Sequence, residues 1–174
     1  MAVNRAGYRA VVLALCIACA LTSCSLQTTP ATGAVGANVP HVPAPAFSGM
    51  LVTGASFSSS SFRGHVVVLD FWGSWCGPCQ AEQPHITALA QEFLPKGVRF
   101  LGVDERDNNA AALAFIQANH VPYTSINDSS ATVAGLYGVD APPYIIVINS
   151  RNVIVGRYLG TTAGVANQLR SMGF

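Results

Sequence analysis

Charge is what this sequence has least of. Only 10% of its 174 residues are Asp, Glu, Lys or Arg. No basic run and no Lys/Arg stripe occurs, so a nucleic-acid partner is not expected, because neutralising phosphates takes clustered cations. Cysteine is also scarce. Of five cysteines, Cys16, Cys19 and Cys24 fall near the N-terminus, which leaves Cys76 and Cys79 for everything beyond. That excludes a framework of structural disulfides, and a zinc site would need a second ligand pair. The histidines (His41, His65, His85 and His120) are too scattered to supply one and are expected at the surface or in loops. No metal and no other cofactor is expected. A membrane-spanning run is missing near the N-terminus: the apolar stretch Ala10 to Leu21 is well short of the roughly 20 residues that cross a bilayer. There is no internal repeat.

What that stretch does suit is the core of a secretory signal, with Arg5 and Arg9 as its positive region. Leu21-Thr22-Ser23-Cys24 follows and resembles the bacterial lipobox, in which the chain is cut before the cysteine and its sulfur receives a diacylglycerol. The resemblance implies a lipoprotein signal over residues 1–23 and lipidation at Cys24. The alternative is an ordinary signal, or an uncleaved anchor, with Cys24 incidental. On the lipoprotein reading Cys16 and Cys19 leave with the signal and Cys24 is blocked as a thioether. Loss of Arg5 and Arg9 then leaves seven basic residues against eight acids, a formal charge of −1. Residues 24–46 have no Lys, Arg, Asp or Glu and no apolar period, and read as a flexible, lipid-anchored tether. Residues 47–174 read as one domain.

Within that domain, Phe47 to Phe57 predicts a hairpin punctuated by Gly49 and Gly54, Ser58 to Ser61 a loop, and Arg63-Gly64 a turn. His65 to Trp72 is a near-continuous β-branched and apolar run, the pattern of a strand buried on both faces. Gln80 to Phe93 has helical spacing, with Pro84 as an expected kink. Val98 to Val103 predicts a second buried strand. Asn108 and Asn109 can cap a helix running through Asn119, with Leu113 and Ile116 inward. A short strand near Tyr123 to Ile126 and a small helix from Ser129 to Tyr137, ended by Gly138, follow. Tyr144 to Ile148 and Val153 to Tyr158 predict a hairpin. Thr161 to Met172 predicts a closing helix. This order of elements indicates an α/β fold with a central mixed sheet flanked by helices and an N-terminal hairpin extension.

The chemistry sits where the first buried strand meets its helix, at Trp72-Gly73-Ser74-Trp75-Cys76-Gly77-Pro78-Cys79. A cysteine at a helix N-terminus meets unpaired N–H groups and the positive end of the dipole, which favour the thiolate. Such thiols fall from about 8.5 to roughly 3.5–7.5. Cys76 is therefore the expected nucleophile. Cys79, one turn further, is expected to be more buried and to resolve the mixed disulfide. A close pair is a poor staple, since it closes a tiny loop. Trp72 and Trp75 are expected to wall the site. Trp75 is the expected substrate contact, and Trp72 serves equally as core.

Asp70 to Cys79, with Pro84 downstream, resembles thioredoxin. The wider frame is similar to the membrane-anchored thioredoxin-like oxidoreductases of the TlpA/ResA type that serve cytochrome c maturation. Ala44 to Phe47, Phe62 to Leu69, Glu82-Gln83-Pro84, Gly97 to Val103, Tyr137-Gly138-Val139 and Asn152 to Gly160 carry that likeness. It implies a thioredoxin-like fold and a cis-proline loop, which falls on Pro143. Pro142 as the cis residue is the alternative. The residue before the cis-proline ordinarily offers its N–H to an extended substrate. Pro142 has none, so one substrate hydrogen bond is expected to be missing. The resemblance also points to Asp70 and Glu82 as two acids that could move protons for Cys79. A buried carboxylate without a partner holds its proton toward neutral pH. Which of the two does so stays open. Gly77 and Pro78 join Trp75, Pro142 and Pro143 as expected substrate contacts.

The functional expectation is a monomeric thiol–disulfide oxidoreductase at the extracytoplasmic face of the bacterial cell membrane. Gly77-Pro78 is the dipeptide of the reducing thioredoxin, and no histidine lies between the cysteines. The resemblance implies apo-cytochrome c or another exported thiol protein as substrate, and electrons from a membrane thiol relay. A general disulfide oxidase or isomerase is the alternative. A non-catalytic binding lipoprotein and a peroxidase are the remaining readings.

Overall fold

The computed structural model describes residue 36 and residues 39–174. The expected signal, Cys24 and most of the expected tether lie outside the described residues. In chain order the elements are β1 (Val42–Pro43), β2 (Ser48–Met50), β3 (Ser56–Ser58), β4 (Val67–Trp72), α1 (Gly77–Phe93), β5 (Arg99–Glu105), α2 (Asn109–Ala118), β6 (Ser125–Asp128), α3 (Thr132–Tyr137), β7 (Tyr144–Ile148), β8 (Val153–Leu159) and α4 (Thr162–Ser171). Six strands form one sheet in the order β1-β8-β7-β4-β5-β6. β4, β5 and β6 run parallel, and the remaining pairs are antiparallel, so the sheet is mixed. The hairpin β2–β3 stands apart and touches the β6 edge through a bridge from Leu51 to Ile126.

Every residue of β4 is buried, because helices cover both of its faces. Val68 packs with Ile86, Leu89 and Phe93 of α1 and with Val165 and Leu169 of α4. Val67, Leu69 and Phe71 point the other way, to Val133, Ala134 and Tyr137 of α3 and to Phe47. Alternation along β4 therefore places Asp70 and Trp72 on the α1 side.

Local chemistry sets most boundaries. Asn108 caps α2 by accepting the Ala111 N–H at 3.0 Å, a contribution of about 1 kcal/mol. Gly138 ends α3 at φ 64°, a left-handed turn that L side chains resist. α1 runs on through the exposed Pro84 rather than ending there. At Gly102 the requirement is space. The Trp72 indole reaches over β5 to donate to Ser125 Oγ at 3.3 Å. A Cβ on Gly102 would lie 2.6 Å from Trp72 Nε1 and collide with Ser125 Oγ.

Several expectations change. The packed domain begins before Phe47. Val39 and Ala44 join the core, β1 pairs with β8, and the Tyr137 hydroxyl donates to the Pro45 carbonyl at 2.8 Å. The outer edge of β8 would otherwise present unpaired backbone groups, and this segment covers it. Ser59–Phe62 is a single 3-10 turn, not an open loop, because Ser58 caps it. The strand expected at Tyr123 to Ile126 lies at Ser125–Asp128. In α2 it is Ala112 and Phe115 that are buried, while Leu113 and Ile116 are only partly covered. Phe115 takes the inner position by stacking on Trp72, with centroids 4.7 Å apart.

Candidate active site

Cys76 is the N-cap of α1, with Gly77 and Pro78 opening the helix. Proline suits that place because its missing N–H would have no helical partner. Cys76 Sγ accepts the Cys79 N–H at 3.2 Å, and the two cysteines form a disulfide. The expected difference in burial is absent: Cys76 and Cys79 are each 3% exposed. Both cysteines belong to one buried cluster with Val52, Trp72, Ala112 and Phe115. What distinguishes the pair is the position of Cys76 at the helix cap.

The loop bearing Cys76 is held from the end of β5. Ser74 N–H donates to Asp107 Oδ2 at 2.7 Å. Trp75 Nε1 donates to the Glu105 carbonyl at 2.8 Å, while its ring stays 52% exposed. Trp75 is thus available to a partner, whereas Trp72 is core. Gly77 and Pro78 are also exposed. The Pro142–Pro143 peptide is cis, so Pro143 is the cis residue and Pro142 precedes it. Beside the redox pair, Pro78, Ala81, Glu82 and His85 of α1 face residues 160–163 across an open groove of about 510 Å³.

The two expected acids differ in surroundings. Asp70 is 3% exposed and accepts a hydrogen bond from the Tyr123 hydroxyl at 2.7 Å. Burial pushes its carboxyl up to about 7, against the lowering effect of that bond, and the nearby Glu82 charge adds to the rise. Glu82 is half-buried, with Oε1 enclosed and unpartnered. Its carboxyl is raised by burial, and His85 opposes the rise. Glu82 is therefore no simple solvated helix residue.

Sequence reasoning missed several groups. Asp104 and Glu105 are fully buried, because β5 runs two residues beyond the expected end at Val103. Both oxygens of Asp104 lack a partner. Burial first, then the Asp107 carboxylate, pushes Asp104 up to about 7. Burial likewise pushes Glu105 up to about 7, with Arg106 opposing. Tyr123 and Gln83 were also missed. Their side chains meet only in three dimensions, and no sequence spacing marks them.

The model of the AhpC/TSA family matches residues 40–157. The chain belongs to this family. Among curated relatives it is 27% identical over 117 residues to the thiol-disulfide oxidoreductase ResA of Bacillus thuringiensis, covering 67% of this chain and 68% of that one. It is 32% identical over 120 residues to the thiol:disulfide interchange protein DsbE of Pseudomonas fluorescens, covering 68% and 65%. A solved DsbF homologue from Corynebacterium diphtheriae superposes with a TM-score of 0.68 at 25% identity, covering 76% of this chain and 87% of that one. The fold of this AhpC/TSA member is thioredoxin-like, and the chain is a thiol–disulfide oxidoreductase.

Proposed function

We propose that this oxidoreductase is exported, held at the outer face of the cell membrane through lipid on Cys24, and reduces disulfides of exported proteins of the apo-cytochrome c type. The observation that carries the reading is a capping cysteine followed by Gly77-Pro78, beside a buried carboxyl that holds its proton up to about pH 7. In the reduced enzyme the Cys76 thiolate attacks one sulfur of a substrate disulfide. That S–S bond breaks, the departing sulfur takes a proton, and a mixed disulfide with Cys76 remains. Cys79 then passes its proton to the Asp70 carboxylate and attacks Cys76 Sγ. The mixed disulfide breaks and the second substrate sulfur leaves and is protonated. Two electrons have moved from the cysteine pair to the substrate, and a membrane thiol relay would restore them. Trp75, Gly77, Pro78 and the cis Pro143 form the surface offered to the substrate, and the domain works as a monomer. Pro142 offers no N–H, so the substrate is held by fewer backbone bonds than in relatives with another residue there.

Two results test this reading. The reduced fragment 25–174 is expected to reduce an oxidised Cys-Xaa-Xaa-Cys-His peptide, the haem-attachment pattern. Reduction of insulin without reduction of that peptide would remove the cytochrome c part. Cys24→Ala is expected to release the signal-processed protein from membranes with its activity intact, as read by fractionation and insulin reduction. Retention of the processed variant on membranes would remove the lipid anchor.

A further inference from the structure

We propose that Tyr123 is a positioning residue for the proton transfer at Cys79: its phenol, oriented by Gln83, donates to the Asp70 carboxylate and sets how readily Asp70 takes the proton. This rests on the reading of Asp70 as the proton acceptor. Gln83 lies four residues after Cys79 on the buried stripe of α1. Its amide nitrogen, which can only donate, approaches Thr87 Oγ1 at 3.0 Å and the Tyr123 oxygen at 3.5 Å. A phenol has one hydrogen. With its oxygen accepting from Gln83, that hydrogen goes to Asp70 Oδ2 at 2.7 Å. An ionised carboxylate can only accept, which fixes the direction from Tyr123 to Asp70.

Packing alone does not account for this hydroxyl. Tyr123 is buried and its ring lies against Phe100 with centroids 5.8 Å apart. A phenylalanine would fill the same space without burying a polar group. Nor does any cation balance Asp70. Among the described residues the ion pairs are Lys96–Glu92, Arg106–Glu105 and Arg170–Glu92. The phenol is left as the group that moderates the burial of this carboxyl. It also remains a donor through the neutral range, since burial and the Asp70 charge hold its own proton well above the usual tyrosine value. The groups packed around Asp70 support this assignment. α1 contributes Glu82, whose charge acts on Asp70, with His85 beside it, and the segment before β6 contributes Tyr123. The strand partners Gly102 and Ile145 carry no charge. Asp104, two residues along β5 on the same face, is a further acid. Val165 and Leu169 of α4 lie in the apolar cluster on this side of the sheet, with Val68 and Ile145.

The test is the pH dependence of mixed-disulfide resolution, with Cys76 of the signal-processed protein loaded with an aromatic thiol whose release is followed by absorbance. The wild-type rate is expected to rise through an inflection near 7, the value to which Asp70 is pushed. Tyr123→Phe removes a hydrogen bond to the ionised carboxylate, so the inflection is expected to move up by about one pH unit, with the high-pH plateau within about two-fold of wild type. Placing 3-fluorotyrosine at 123 makes a stronger donor and is expected to move the inflection down. Asp70→Asn is expected to abolish the inflection with either residue at 123. If Asp70→Asn abolishes it and neither change at 123 moves it, Tyr123 only fills space and this proposal fails while the Asp70 reading stands. An inflection that survives Asp70→Asn overturns both. If Tyr123→Phe does not fold, the fluorotyrosine protein decides.

Discussion

Cys76→Ser is expected to reduce insulin no faster than the uncatalysed reaction, and Cys79→Ser to accumulate substrate bound covalently to Cys76. The asymmetry comes from the helix cap. Cys76 Sγ sits where the first free N–H groups of α1 converge, and it already accepts one of them, from Cys79. A serine at 76 is too weak a nucleophile to open a disulfide, so the first bond never forms. With serine at 79 the first bond forms and nothing breaks it. Mass spectrometry of the unreduced adduct after protease digestion identifies the linked cysteine. An adduct through Cys79 in Cys76→Ser would reverse the two roles.

The reduction potential is expected to fall near thioredoxin's, about −270 mV, and far from the strong oxidant's, about −120 mV. The gap corresponds to roughly 7 kcal/mol for two electrons, enough to decide which way electrons run. A potential rises when the reduced form is stabilised, chiefly through the thiolate of the nucleophilic cysteine. Here only the helix N-terminus does that. Gly77-Pro78 adds no positive charge. The titratable groups flanking the pair on α1 and β4 include the acids Glu82 and Asp70, whose negative charge works against a second anion. Equilibration of the fragment 25–174 with glutathione mixtures measures the value. A potential at the oxidising end would replace the reductase by an oxidase.

Much of the architecture was legible in the sequence because its signals are local. The apolar run at β4, the capping Asn108, the hairpin of Tyr144 to Ile148 with Val153 to Tyr158 and the Cys-Gly-Pro-Cys junction each depend on neighbours a few residues away. The cis bond at Pro143 could be placed because the resemblance supplied the register. What escaped depends on burial. Val39 and Ala44 are single apolar residues in a charge-free stretch, and nothing in their spacing says that the edge of β8 needs covering. Asp104 and Glu105 follow the largely apolar run Val98 to Val103, where acids ordinarily mark a strand's exit into water. Here β5 continues through them, paired with Asn127 and Asp128 of β6. Tyr123 reads as the start of a strand, yet its hydroxyl serves a carboxyl 53 residues away.

The burial of those acids also joins reactivity to endurance. Asp70, Asp104 and Glu105 each hold a proton up to about 7, chiefly through burial. In the unfolded chain the same carboxyls let go near about 4. Between those limits the folded domain retains protons that the unfolded chain has released. Their contribution is therefore most favourable at the acid end and is lost as the pH climbs toward 7. On the proposed mechanism, resolution at Cys79 needs Asp70 in its unprotonated form, the form the interior tolerates least. On that mechanism the proton that favours the folded domain in mild acid is the one that leaves before turnover, so the enzyme gains speed in the same pH range in which its fold loses margin.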